Sequence, residues 1–265
     1  MKVLVFADLH GSETALKKVE SKAKHAGLLL CAGDFTIFGQ KQNQILKKIN
    51  DLGKLCLMIH GNHENAAEVD EQCKKYKNIL FIHKKIVRIG HLIFIGYGGD
   101  GFSLRDKNFE NIFAPRFVIG IKKYKENIEK EAKKPKTILM VHGPPYGSKV
   151  DAIEDQHCGN KSYRDFYLKN KIDYVFSGHI HESAGAVEHI KNTTLMNPGP
   201  FGVILEMWVI SSYYSQQHVQ DWIVKQKKCL TKLEHAPATQ TVSLNIFYLM
   251  FRNNSKKISS ENMFK

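Results

Sequence analysis

The sequence predicts an α/β fold in which helices cover a mixed β-sheet. Three observations predict it. Short continuous apolar runs, of the kind a strand shows when both its faces are buried, alternate with stretches of helical periodicity over the first two hundred residues. Several of these runs end abruptly in a glycine, aspartate or histidine block, and ligand sites in such sheets lie at the carboxyl ends of the strands. The chain has 265 residues of which 43% are hydrophobic, ordinary for a soluble globular protein and enough to bury a substantial core.

The elements follow in order. Residues 2–7 form a continuous apolar strand, and Ser12 then caps a helix running to about residue 25. Residues 28–31 are the second strand, and a helix over 40–52 ends at Gly53. The third strand is 55–59, after which Asn65 caps a helix to about residue 76. From 79 to 96 the pattern becomes β-rich, with a tight hairpin at Ile89-Gly90-His91. Helical periodicity returns at 119–132, buried strands at 137–141 and 174–177, and a helix at 162–169 between them. Residues 186–189 and 194–196 pair as a hairpin, and 201–210 is a closing strand. This organisation assigns 1–210 to one domain and 211–265 to a C-terminal extension without a chemical motif, its polar end from 253 disordered.

Composition narrows the function classes. Five cysteines, odd in number and without a CxxC pair, argue against a disulfide framework and for a reducing compartment, with Cys31 a packing residue. The apolar run 3–7 stops at Asp8, too short for a signal peptide, and 244–251 is too short to span a bilayer as a helix, so a cytoplasmic protein without membrane association is expected. A net charge of +13 fits a polyanionic partner such as nucleic acid, but the lysine pairs, from Lys17-Lys18 to Lys227-Lys228, are spread along the chain rather than gathered in a patch. Solvated lysine faces are the favoured explanation.

Five blocks carry the chemistry: Asp8-Leu9-His10, Gly33-Asp34, Gly61-Asn62-His63-Glu64, His142 in Val-His-Gly-Pro-Pro, and Gly178-His179-Ile180-His181. Taken singly, each reads as a surface turn, a helix cap or a satisfied core histidine. Together, in this order and at successive strand ends, they supply enough oxygen and nitrogen donors for two metal ions. Carboxylate with imidazole suits Mn, Fe or Zn. Gly33 lets the backbone turn so that the Asp34 carboxylate can face a neighbouring site.

With these blocks the chain resembles the calcineurin-like metallophosphoesterase superfamily over roughly residues 1–205, whose pattern is Asp-x-His, Gly-Asp, Gly-Asn-His-Asp/Glu, His and Gly-His-x-His. The stretches 33–39, 142–147 and 178–182 are similar to small Icc-like phosphoesterases and to metallophosphoesterase-domain-containing proteins. The resemblance implies a four-layer αββα sandwich with two divalent metal ions. It implies that Asp8, His10 and His181 hold one metal, that Asn62, His142 and His179 hold the other, and that Asp34 bridges both. His63 is implied to contact the substrate phosphate, with Asn62, or to protonate the leaving group, and Glu64 to orient His63. Lys149, Asp151, His157, Ser162 and Arg164 are expected to shape the pocket, with Arg164 a candidate phosphate ligand. Gly98-Gly99-Asp100-Gly101 resembles a site-lining loop, without nucleotide-fingerprint spacing.

The implied activity is hydrolysis of phosphoric esters by a metal-bridging hydroxide, with manganese an expected activator. Protein serine/threonine phosphatases of this superfamily carry an arginine in a Gly-Asp-x-Val-Asp-Arg-Gly stretch. Residues 33–39 here read Gly-Asp-Phe-Thr-Ile-Phe-Gly, without it, which favours diesters over monoesters. Two alternatives stand beside this reading: a DNA or RNA nuclease, marked by lysines clustered at the pocket, and a non-catalytic scaffold on the same fold, marked by degenerate ligands. None of the seven ligand positions is degenerate.

Overall fold

A computed structural model describes residues 1–99, 101–113 and 135–207. The helix expected at 119–132, Arg116, Asp100 and the extension 211–265 lie outside the described residues. The described residues form two large sheets. The first contains β1 (Lys2–Phe6), β2 (Leu28–Ala32), β3 (Leu55–Ile59) and β4 (Ile79–Phe81) in parallel, with β13 (Val203–Glu206) closing it antiparallel to β1. The second has the order β11 (Val187–Ile190), β12 (Thr193–Met196), β10 (Tyr174–Phe176), β7 (Lys136–Val141), β6 (Leu92–Tyr97) and β5 (Lys85–Ile89). Its middle strands are parallel, and both edges are hairpins.

Strand alternation distributes the apolar side chains over three layers of core. One face of the first sheet (Leu4, Phe6, Leu29, Met58) packs on α1 (Glu13–Ala23), α2 (Gln42–Asp51) and α3 (Ala66–Lys74) through Leu16, Val19, Leu46, Ile49 and Val69. The other face (Val3, Val5, Leu30, Leu57, Ile59) meets Phe94, Ile138, Met140 and Phe176 of the second sheet. The far face of the second sheet packs on α4 (Lys107–Phe113) and α5 (Lys161–Asn170) through Phe109, Phe113, Tyr163 and Tyr167. This is the four-layer αββα sandwich.

Start signals act as expected. Ser12 Oγ accepts from Ala15 N at 3.3 Å, and Asn65 Oδ1 accepts from Ala67 N and Glu68 N at 2.9 and 3.2 Å. The hairpin turns at Gly90, with φ +60°. Sequence reasoning missed α4, although Asp106 Oδ1 caps it by accepting from Phe109 N at 2.9 Å. It also missed the two-residue strands β8 (Ala152–Ile153) and β9 (Gln156–His157). No helix among the described residues is long and apolar enough to cross a membrane.

Candidate metal centre

The donors come from both sheets at one end of the sandwich. Asp8 and His10 follow β1, Asp34 follows β2, and Asn62 and His63 follow β3. From the second sheet, His142 follows β7, while His179 and His181 follow β10. Because β1, β2 and β3 run parallel in register, their ends stop side by side. Backbone hydrogen bonds carry the pairing past the strands: Asp8 N to Gly33 O at 3.0 Å, His10 N to Asp34 O at 3.0 Å and Gly178 N to His142 O at 2.9 Å. At Gly33, with φ +96°, a Cβ would lie 2.7 Å from both Gly61 N and His142 Nδ1. The glycine is what lets three ligand loops converge.

Asp34 is the hub. Its Oδ2 lies 3.3 Å from His142 Nε2 and 3.8 Å from both His10 Nε2 and His63 Nε2. Its Oδ1 accepts from His63 N at 2.9 Å. Three groups of donors lie with their atoms within 4.8 Å of one another: Asp8, His10 and His181; Asp34, His142 and His179; and His10, Asp34 and His63. The first matches the set expected for one metal. The second matches the other together with Asn62, whose Oδ1 is 2.9 Å from both His142 Nε2 and His179 Nδ1. The third places His63 within reach of the hub as well.

The tautomers suit ligation. His142 Nδ1 is 2.9 Å from Ala32 O and His10 Nδ1 is 3.2 Å from Thr36 O. Both rings can donate from Nδ1 to a carbonyl, which leaves each Nε2 lone pair facing the hub. Two donors at right angles on one cation, with bonds of about 2.1 Å, stand about 3 Å apart. The His10 Nε2–His181 Nε2 separation is 2.9 Å, the same as the two Asn62 contacts. The residues present therefore fit divalent cations of the nitrogen- and oxygen-binding class.

Electrostatics agree. Burial pushes the Asp34 carboxyl up, but the hydrogen bond and charge of His142, with the His63 backbone N–H, pull it down to about 2. Burial pushes His142 down, yet Asp34 beside it, helped by Asp8, raises it to about 9. Asp8 is raised, chiefly by burial, and His10 is lowered, again chiefly by burial. Two carboxylates thus favour positive charge at this point, and His142 is raised in response.

One expectation is corrected. Glu64 does not bond to His63. Its Oε2 accepts from Asp34 N and Gly61 N at 3.1 and 2.8 Å, and its Oε1 accepts from Thr36 N and Thr36 Oγ1 at 2.8 and 2.7 Å. A carboxylate surrounded by four donors has no lone pair left to aim at an imidazole, so Glu64 holds the Asp34 and Asn62 loops to each other. His63 Nδ1 is buried without a hydrogen-bond partner. Arg164 Nη1 donates to Tyr146 O and Gly147 O at 2.8 and 2.9 Å, which fastens the loop that follows His142.

The rest of that loop is similarly self-contained. Asp151 is fully buried and accepts from Gly147 N, Ser148 N and Gly159 N, with His157 Nδ1 at 2.9 Å. Lys149 N donates to Glu188, and Ser162 Oγ donates to Glu110. Gly98 and Gly99 pack on His60, and a Cβ on Gly101 would lie 3.3 Å from His179, so Gly101 borders the site. Sequence reasoning missed Phe38, whose ring stacks on His63, and Phe102, whose ring meets His179 edge-on.

The model of the calcineurin-like phosphoesterase family matches residues 1–183. No curated protein matches the chain. Among solved structures, one crystal structure aligns with TM-score 0.55 at 19% identity, over 75% of this chain and 90% of its own. A protein of Thermus thermophilus, TT1561, aligns with TM-score 0.54 at 11% identity, over 76% and 89%. Phosphopantetheinyl hydrolase from Mycobacterium tuberculosis aligns with TM-score 0.48 at 12% identity, over 75% and 88%. The first two likenesses show the shared fold.

Proposed function

The chain belongs to the calcineurin-like phosphoesterase family, and from that premise we propose that it hydrolyses phosphoric esters, preferentially diesters, with two divalent cations such as Mn, Fe or Zn. One observation carries the reading: imidazoles from three loops converge on the single oxygen Asp34 Oδ2, at 3.3 to 3.8 Å. In this reading Asp8, His10 and His181 would hold one cation, Asn62, His142 and His179 the other, and Asp34 would serve both. The cations supply Lewis acidity toward phosphate oxygens and lower the pKa of bound water.

The protein's own groups do the rest. Carboxylates at Asp8 and Asp34 fix positive charge where phosphate oxygens must lie. His63 sits at the edge of the cluster, its Nε2 3.8 Å from Asp34 Oδ2, and gives its proton to the departing alkoxide. A diester carries one negative charge and needs no guanidinium clamp. In keeping with that, Arg105 is held by Glu110 and Asp165 at 3.0 Å each, and Arg164 Nη1 by two backbone carbonyls. The ligand-bearing stretches 7–11, 33–39, 60–65, 142–147 and 177–182 contain no lysine or arginine, which weighs against a nuclease that grips a polyanionic strand beside the site.

The test compares kcat/KM for bis-p-nitrophenyl phosphate and p-nitrophenyl phosphate on Mn-loaded protein, with Asp34→Asn as control. The diester should be preferred, chelation should abolish turnover, and Asp34→Asn should remove it. Preference for the monoester, or full turnover by chelated protein, overturns the reading.

A further inference from the structure

Large apolar side chains are costly to leave in water unless something covers them. The exposed ones among the described residues include Ile37 at 43%, Phe38 at 75%, Phe102 at 69% and Leu104 at 52%. These four come from two stretches, 33–39 and 101–104, that border the metal centre through His63 and His179. The Phe38 ring stacks on His63, with centroids 4.4 Å apart and planes 25° apart. The Phe102 ring lies edge-on to His179, with centroids 4.6 Å apart. Each phenylalanine therefore touches a proposed active-site histidine with part of its surface and presents the rest to solvent.

Neither burial nor backbone preference accounts for Phe38. Its φ is +48°, a left-handed conformation that a bulky side chain rarely adopts, and the next residue, Gly39, shares that region at +73°. A phenylalanine held in a disfavoured conformation, three-quarters exposed and stacked on a site histidine is suited to meeting a ligand.

We propose that the site is built for phosphodiesters that carry a flat aromatic group on each ester oxygen, with Phe38 stacking the leaving group and Phe102 the retained one. The inference rests on the phosphoester reading of the centre. The phosphoryl group belongs among the cation ligands around Asp34, so its two substituents must leave that centre past the rim. His63 serves the leaving oxygen, and Phe38 covers His63. His179 lies in the other donor group, with Asp34 and His142, and Phe102 covers His179. The near-parallel stack of Phe38 on His63 continues naturally into a third flat ring, because aromatic faces pack best on other rings in offset or edge geometry. No cation from these stretches competes for the space, since 33–39 and 101–104 hold no lysine or arginine.

The experiment measures binding, apart from turnover, by calorimetric titration of Mn-loaded protein with diphenyl phosphate, dimethyl phosphate and inorganic phosphate. Wild-type protein should bind diphenyl phosphate at least about tenfold more tightly than dimethyl phosphate, as two ring contacts predict. Phe38→Ala and Phe102→Ala should each cut that preference severalfold, the double variant should abolish it, and Phe→Leu at either position should restore only part. Inorganic phosphate should bind wild type and all these variants alike, which also shows that the variants are folded and loaded. An unchanged diphenyl-to-dimethyl ratio in both alanine variants, with inorganic phosphate still bound, overturns this proposal and leaves the phosphoester reading standing. Failure of inorganic phosphate to bind the wild type, or equal binding by Asp34→Asn, overturns both.

Discussion

Replacing Glu64 by glutamine tests how the two central ligand loops are held. The carboxylate accepts four hydrogen bonds in a buried position, two on each oxygen. Glutamine keeps the shape but turns one acceptor into a donor. With the amide nitrogen in place of Oε2, both Asp34 N and Gly61 N face a donor. With the amide nitrogen in place of Oε1, Thr36 Oγ1 can rotate to accept, and only Thr36 N is orphaned. The second arrangement is the cheaper one. One buried unsatisfied N–H costs about 1–3 kcal/mol, and the two surviving backbone bonds lose their charge assistance, for a total of about 2–3 kcal/mol. At about 2–4 °C per kcal/mol for a domain of this size, Tm should fall by roughly 5–10 °C. The surviving bonds to Asp34 N and Gly61 N lose the charge that strengthened them, so the Asp34 loop is held less firmly and metal affinity should fall by roughly 10-fold. Thermal unfolding of metal-free protein and elemental analysis after equilibration with limiting Mn measure the two effects. If Glu64→Gln keeps wild-type Tm and metal content while altering only leaving-group dependence, Glu64 acts through His63 after all and the argument from its four bonds fails.

His63→Ala should retain metal but lose rate, on the order of 10²–10⁴-fold for a poor leaving group and much less for p-nitrophenol, which departs without a proton; a large drop in metal content would instead make His63 a ligand. His83 is lowered to about 3, first by burial and then by the charge of His60 and of Lys84, and its Nδ1 must stay unprotonated to accept from Gly98 N at 2.9 Å. Its folded pKa is below the ordinary 6.5, so its contribution is present above that pH and is lost at about 1.4 kcal/mol per unit as pH falls toward about 3. His83→Gln should therefore flatten the decline of Tm between about pH 6.5 and 4.5, and an unchanged slope would refute it.

Most strands and the ligand blocks were readable in the sequence for one reason. A strand inside a sandwich is buried on both faces, so it appears as an unbroken apolar run, as in Leu28–Ala32 and Leu55–Ile59. Its end then shows as a sudden aspartate, histidine or glycine. The division into two sheets came from the family resemblance and not from local pattern, because β13 closes on β1 and β7 pairs with β10 across long separations that no local pattern encodes. Helix α4 has only 7 residues, too few for periodicity to declare itself. The partner of Glu64 was misjudged because a motif names the residue type, while three of its four donors are backbone N–H groups. Phe38 and Phe102 gave no signal at all: an isolated phenylalanine in a loop acquires meaning only when His63 or His179 is found beneath it.

The backbone at the centre breaks local preference at the ligands themselves. Asp8, His10, Asp34 and His179 all have positive φ, from +44° to +70°. Each such residue costs on the order of 1 kcal/mol, so the fold holds them against several kcal/mol of unfavourable conformation through the bonds that tie each loop to its neighbour. The donors are therefore gathered before a cation arrives, and the gathered carboxylates need a positive charge. In the metal-free chain the proton on His142, held to about pH 9 by Asp34, supplies such a charge. A cation needs the Nε2 lone pair and so must displace this proton. The sign follows: His142 is protonated below about pH 9, and metal affinity should weaken by about tenfold for each unit of pH lowered below that value. Titrating Mn into metal-free protein at pH 7.5, in buffers of different ionisation enthalpy, should reveal release of about one proton or more per protein. In His142→Asn, which keeps an oxygen donor but has no proton to displace, that release should fall by about one. Uptake without proton release in the wild type would mean that His142 is already neutral there, and that Asp8 and Asp34 tolerate each other without a cation between them.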